Sequence, residues 1–140
     1  MQFETILRPS EILRQCLLPM FPQDETSVEK SEYPIYIDYS FSFDKTSNKR
    51  IVILQSSSAA PNRFIGNDEF VSGASCDIIV SSQNADEAYT ISKVIEKKLN
   101  QIRNIYGIID IQPLTGVEPM GINSKGFYMF SCTYGIIKEE

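Results

Sequence analysis

The chain predicts an α+β fold: one antiparallel or mixed sheet of about five strands, with two helices packed on one of its faces. Three observations predict it. Residues 35–43 alternate strictly between apolar and polar, residues 74–81 and 127–137 repeat that alternation, and residues 85–103 carry apolar side chains at helical spacing. An alternating strand has one apolar face, and a sheet of such strands buries that face under amphipathic helices.

The elements follow in the order α-β-β-β-α-β-β. Ser10 is placed to cap a short first helix, with Pro9 just before it and Ile12, Leu13, Cys16 and Leu17 at helical spacing. Pro19 and Pro22 stop that helix, and residues 22–33 read as a polar loop. From 35 to 43, Ile35, Ile37, Tyr39, Phe41 and Phe43 share one face, while Tyr36, Asp38, Ser40 and Ser42 share the other. Residues 44–50 read as a turn into a hairpin partner at 51–55. Residues 56–69 read as a long irregular loop. In the next strand Ala74, Cys76, Ile78 and Val80 point inward, and Ser75, Asp77, Ile79 and Ser81 alternate outward. Ser82 or Asn84 caps the long helix, whose buried stripe is Ala88, Ile91, Val94 or Ile95, Leu99 and Ile102. Its acidic first turn (Asp86, Glu87) and basic end (Lys97, Lys98, Arg103) both suit the helix dipole. A strand at Ile108–Gln112, broken by Pro113, fits a sheet edge. A Gly/Pro-rich connection, 116–126, then leads into a last strand with Tyr128, Phe130, Cys132, Tyr134 and Ile136 on one face.

At 140 residues the chain is the size of one domain, residues 1–140. The 42% apolar content supplies a core. The net charge of −5 argues against tight binding to a phosphate backbone, and the lysines and arginines do not cluster. No signal peptide is visible at the N-terminus, and no apolar run approaches the ~20 residues that span a bilayer. The expectation is a soluble protein without a membrane partner. Cys16, Cys76 and Cys132 lack CxxC spacing and sit among apolar neighbours, so they read as buried free thiols in a reducing compartment.

Catalysis is not expected. The sequence has no histidine, which removes the commonest general base and metal ligand. Asp38, Asp77 and Asp110 lie on strands where polar residues alternate toward solvent. Asn67, Asp68 and Glu69 match no calcium-loop pattern, and Gly116, Gly121 and Gly126 lack the Lys-Ser/Thr ending of a phosphate loop. No metal and no cofactor are expected. The strand aromatics Phe41, Phe43, Tyr128 and Phe130 fit core packing or a protein interface better than a base-stacking platform, which needs surrounding basic residues.

The C-terminal half carries a further signal. The run Cys76-Asp77-Ile78-Ile79-Val80-Ser81-Ser82 leads into the helix opened by Ala85 and Ala88, and Pro119-Met120-Gly121-Ile122-Asn123-Ser124-Lys125-Gly126-Phe127-Tyr128 leads into the aromatic last strand. This resembles the tail-terminator and tail-completion (minor capsid) proteins of long-tailed bacteriophages and phage tail-like particles, with Asn123 where Asp is more usual. The resemblance implies a structural protein of the virion, assembled in the host cytoplasm, and no catalytic residues. Its partners would be copies of itself in a hexameric ring, the tail tube protein and the head–tail connector. DNA would pass through the lumen, where an acidic wall keeps it from sticking. The loops 22–33 and 56–69 are then the natural contact surfaces, with Asn62, Arg63, Phe64, Ile65, Asp68 and Glu69 in the second. Ile109 and Ile111 on the edge strand, and Asn123 and Lys125 in the turn, complete the expected interface. Competing readings are another neck, connector, tube or baseplate component, a small enzyme, and a metabolite-binding regulatory module that forms dimers.

Overall fold

Proline at the first helical position begins α1, Pro9–Leu17, in the computed structural model, which describes residues 8–27, 30–37, 49–58, 62–63, 70–102, 108–123 and 125–139. Arg8 occupies the N-cap and offers no side-chain cap. Ser10, expected as the cap, is instead inside the helix and fully buried. Pro9 explains the shift, since its fixed φ suits the first turn and its missing N–H needs no partner.

The sheet follows as β1 (Ile35–Ile37), β2 (Arg50–Ser58), β3 (Asn62–Arg63), β4 (Phe70–Ser82), β5 (Ile108–Pro113), β6 (Glu118–Ile122) and β7 (Tyr128–Glu139). The second helix, α2 (Ala85–Asn100), lies between β4 and β5. All seven strands form one sheet in the order β1-β2-β4-β7-β5, with β3 beside the start of β4 and β6 beside the start of β7. The α+β class, the single mixed sheet and the placement of both helices on one face agree with the sequence reading. The additional strands are β3, inside the expected 56–69 loop, and β6, inside the expected 116–126 connection.

The first strand pair differs from expectation. β1 runs parallel to β2, with Ile35 opposite Ile51 and Ile37 opposite Ile53, so the two are not a hairpin. A parallel pair needs a connection of about a dozen residues, which the stretch between Ile37 and Arg50 supplies. The expected strand positions 38–43 and the turn 44–48 lie outside the described residues. The other pairings are antiparallel, and β4 and β7 run together from Val71↔Glu139 to Ser82↔Tyr128.

One face of the sheet carries the main core. Ile35, Ile51, Ile53, Cys76, Ile78, Val80, Ile111, Cys132, Tyr134 and Ile136 meet Ile12, Leu13, Cys16 and Leu17 of α1 and Ala88, Ile95 and Leu99 of α2. Each large aliphatic side chain buried here contributes about 1.5–3 kcal/mol. α1 packs over β1, β2 and β4, and α2 over β4, β7 and β5, so the helices divide the sheet between them. Helical phase selects Ile95 for the core and leaves Val94, one residue earlier, on the exposed side. The three cysteines form no disulfide and are buried, and burial pushes the Cys16 and Cys132 thiols up.

The second face is less polar than its alternation suggests. Ile79 and Ser81, expected to face solvent, are buried. Ile79 clusters with Val52 and Met129 from the flanking strands. Asp77 is half-buried there and accepts a 2.6 Å hydrogen bond from the hydroxyl of Thr133, its partner on β7. No helix among the described residues is long and apolar enough to cross a membrane.

Candidate assembly surface

Beyond β7 the sheet ends in two short strands, β5 and β6, and the local chemistry explains why. β5 pairs with the second half of β7, from Ile108↔Lys138 to Pro113↔Tyr134. Pro113 has no N–H to continue a ladder, and the chain leaves the strand there. Contact with β7 is kept by other bonds. The Leu114 N–H donates to the Thr133 carbonyl at 2.7 Å, the Thr133 N–H donates to the Thr115 hydroxyl at 3.1 Å, and the Cys132 thiol points to the Thr115 carbonyl at 3.3 Å.

The chain then returns to the first half of β7 as β6, pairing Glu118 with Ser131, Pro119 with Phe130 and Ile122 with Tyr128. A bulge between Pro119 and Gly121 inserts Met120. The turn that follows is held by Asn123, whose side-chain oxygen accepts from the Lys125 and Phe127 N–H groups at 2.9 Å each. The Asn123 N–H donates to the Phe127 carbonyl at 3.0 Å. Gly126 sits at φ +82° and closes this turn, a conformation costly for any residue with a Cβ.

All five residues of β6 are exposed. Among the described residues the large exposed apolar side chains are Tyr89, Val94, Leu114, Met120 and Ile122, and all but Val94 border this edge. Leu114 lies over Gly135 of β7, with Cδ2 3.0 Å from the place a Cβ there would take. Tyr89 stacks edge-on against Phe130 at 5.7 Å between centroids, and Phe130 is the β7 partner of Pro119. Tyr128 and Ile122 share the face of Phe130 by strand periodicity. Tyr89, Phe130, Pro119, Tyr128 and Ile122 therefore form a shelf between α2 and the open edge. Lys93 flanks it, 3.3 Å from Glu96, which raises the Lys93 pKa, and 6.0 Å from the Tyr89 ring.

A different cluster holds the opposite end. Gln23 donates to the Phe21 and Tyr33 carbonyls and accepts from the Ile35 N–H, which straps residues 21–35 together. The Tyr33 hydroxyl donates to Glu87 on α2, and Lys49 lies 3.5 Å from the same carboxylate and 4.6 Å from the Tyr33 ring. These contacts join strap, sheet and helix, and their roles are structural.

The residues expected at an interface are dispersed. Asn62 and Arg63 lie on β3, opposite Val71 and Phe70. Phe64, Ile65, Asp68 and Glu69 lie outside the described residues. Ile109 is at the bulge of β5. Ile111 is fully buried in the core, so its side chain is withdrawn from any surface role. Asn123 is almost fully buried and spends its side chain on the turn, while Lys125 beside it is exposed. The exposed edge residues Leu114, Met120 and Ile122, and Tyr89 on the helix, were not legible as surface. The 116–126 stretch reads as turn residues, and five residues broken by Pro119 and Gly121 are too few to show a strand period.

Among the described residues no group of three or more His, Cys, Asp or Glu side chains is placed to hold a metal ion. The chain matches no protein-family model, and no curated protein matches it.

Proposed function

We propose that the chain is a ring-forming structural subunit of a phage tail, of the tail-terminator or tail-completion kind. In this reading it caps the head-proximal end of the tail tube and joins it to the head connector. The observation that carries the reading is the exposed apolar side chains along a sheet edge that is unpaired among the described residues, Met120 and Ile122 with Tyr89 beside them on the helix side and Leu114 on the other face. A water-exposed apolar edge is a template for pairing with another chain, and it persists where assembly covers it. The edge is built by the Pro119–Tyr128 segment, one of the two segments that carry the resemblance to tail-completion proteins. The acidic balance supports the reading further, since DNA traversing a ring of net charge −5 per subunit is not held by it.

Native mass spectrometry of the purified chain, across a concentration series, is the test, paired with electron microscopy of the chain mixed with tail tubes. A closed hexamer, or capping of tube ends by added monomer, is the expected result. A stable two-fold dimer that leaves tube ends bare overturns the reading and favours a regulatory module.

A further inference from the structure

The two ends of the sheet differ in charge. At the β1 end the strap carries exposed Asp24, Glu25 and Glu32 against Lys30, and Glu32 keeps a side chain that is 78% exposed despite Lys49 at 4.0 Å. Asp24 is committed to the strap's own shape, accepting from the Thr26 and Ser27 N–H groups. Among the described residues of the strap, Glu25 and Glu32 are the carboxylates left to face outward. The strap opens on the exposed prolines Pro19 and Pro22, with Met20 half-buried between them. At the other end, exposed Lys93 lies 6.0 Å from the Tyr89 ring and 3.3 Å from Glu96, Lys97 follows one helical turn on, and exposed Lys125 and Glu118 lie in the turn and on β6.

The geometry points to a head-to-tail contact between two copies of this chain, in which the lysine-flanked β6 shelf of one subunit receives, from the next, the strap's described residues 21–27 and 30–34 with Pro19 and Met20 just before them. Apolar surface meets apolar surface at the centre, Ile122 and Met120 against the Pro19–Pro22 segment. Opposite charges ring it, Lys93 and Lys97 against Glu25 and Glu32, and so fix the register. Each copy has one shelf and one strap, so the contact is heterologous and repeats around a closed ring when its rotation closes. This inference rests on the ring reading and names its subunit interface.

The test is a charge exchange in the full chain. One variant carries Lys93→Glu with Lys97→Glu, and the other carries Glu25→Lys with Glu32→Lys. Thermal unfolding first checks that both fold like the wild type, as exposed substitutions should. Sedimentation velocity then reads the half-assembly concentration. Each variant alone is expected to need about tenfold more protein than the wild type, the size of a few exposed ion pairs turned repulsive. An equimolar mixture is expected to return to the wild-type value, because shelf and strap then complement at every contact of an alternating ring. Variants that assemble at the wild-type concentration, a mixture that stays weakened, or a wild type that remains monomeric throughout would each overturn the contact. Electron microscopy of the wild type separates the two ideas. Rings indifferent to both variants leave the ring reading standing without this interface, whereas open filaments sensitive to the exchange leave the interface standing without the closed ring.

Discussion

The side-chain oxygen of Asn123 accepts from the backbone N–H of Phe127 at 2.9 Å, and through that bond it sets where β7 begins. A second bond, from the Lys125 N–H, uses the same oxygen. Phe127 is buried, so its N–H has no water to replace the lost acceptor. Asn123→Ala is therefore expected to lower stability by about 1–3 kcal/mol, whereas Asn123→Asp, which keeps the oxygen, stays near the wild type. Urea unfolding followed by circular dichroism measures the difference. An Ala variant as stable as the wild type would show that the turn holds without its side-chain acceptor.

How much of this fold was legible depends on how far each signal extends along the chain. β7 and α2 are long, and their apolar positions repeat often enough to define a face: Cys132, Tyr134 and Ile136 on one, Ala88, Ile95 and Leu99 on the other. β6 is short and holds a bulge, a proline and a glycine, so periodicity could not reveal it. The parallel pairing of β1 with β2 is a property of the crossover between them, and an alternating pattern reads the same in either direction. Ile79 shows another limit. Alternation assigns it to the second face correctly, but only the neighbouring strands, through Val52 and Met129, decide that this part of the face is buried. The candidate surface was the least legible part, because exposure of Leu114 and Ile122 follows from no further strand, among the described residues, lying beyond β5 and β6.

The start of α2 offers a sharper check on a single cap. Asn84 has extended backbone geometry, and its side chain accepts from the Asp86 and Glu87 N–H groups at 2.9 and 3.2 Å. It satisfies two donors that have no partner within the helix. Asn84→Ala should cost about 1 kcal/mol, and Asn84→Ser or Asn84→Asp should recover most of that loss. Chemical denaturation of the three variants at neutral pH measures the series, and equal losses in all three would mean that the cap contributes little.

Tyr33 and Glu87 make stability depend on pH at both extremes. The Tyr33 hydroxyl donates to Glu87 and, with Lys49 nearby, holds the Glu87 carboxyl below its ordinary value. A depressed folded-state pKa contributes stability that is complete above the unfolded value of 4.5 and is lost as pH falls through the folded value. Burial, followed by the bond to Glu87, raises the Tyr33 pKa above its ordinary value of 10.0. That contribution is complete below pH 10 and is lost as pH rises beyond it. Tyr33→Phe should therefore flatten the melting temperature profile below pH 4.5 and above pH 10, with the wild type and variant differing most near neutrality. Parallel profiles for the two proteins across the whole range would sink this account.

Tyr134 is the clearest place where removing a polar atom should do no harm. Its ring is fully buried on the helix side of β7, and its hydroxyl meets the Cys132 thiol with no nitrogen or oxygen partner. Burial drives its pKa up, so the hydroxyl stays protonated at every pH at which the fold persists. A buried hydroxyl whose neighbour is only a thiol has its desolvation, about 1–3 kcal/mol, offset weakly. Tyr134→Phe keeps the ring beside Ile78 and Ile95, and it deletes an oxygen whose neighbour is the Cys132 thiol, a weak hydrogen-bonding group. The expected outcome is equal or greater stability, by up to about 1 kcal/mol after the small void left by the oxygen is counted against it. Tyr134→Leu, which removes the ring as well, should instead destabilise by about 2 kcal/mol or more through lost packing. Measuring both by urea unfolding separates the two contributions: a Phe variant as damaged as the Leu variant would mean that the hydroxyl, and not the ring, is what this position requires.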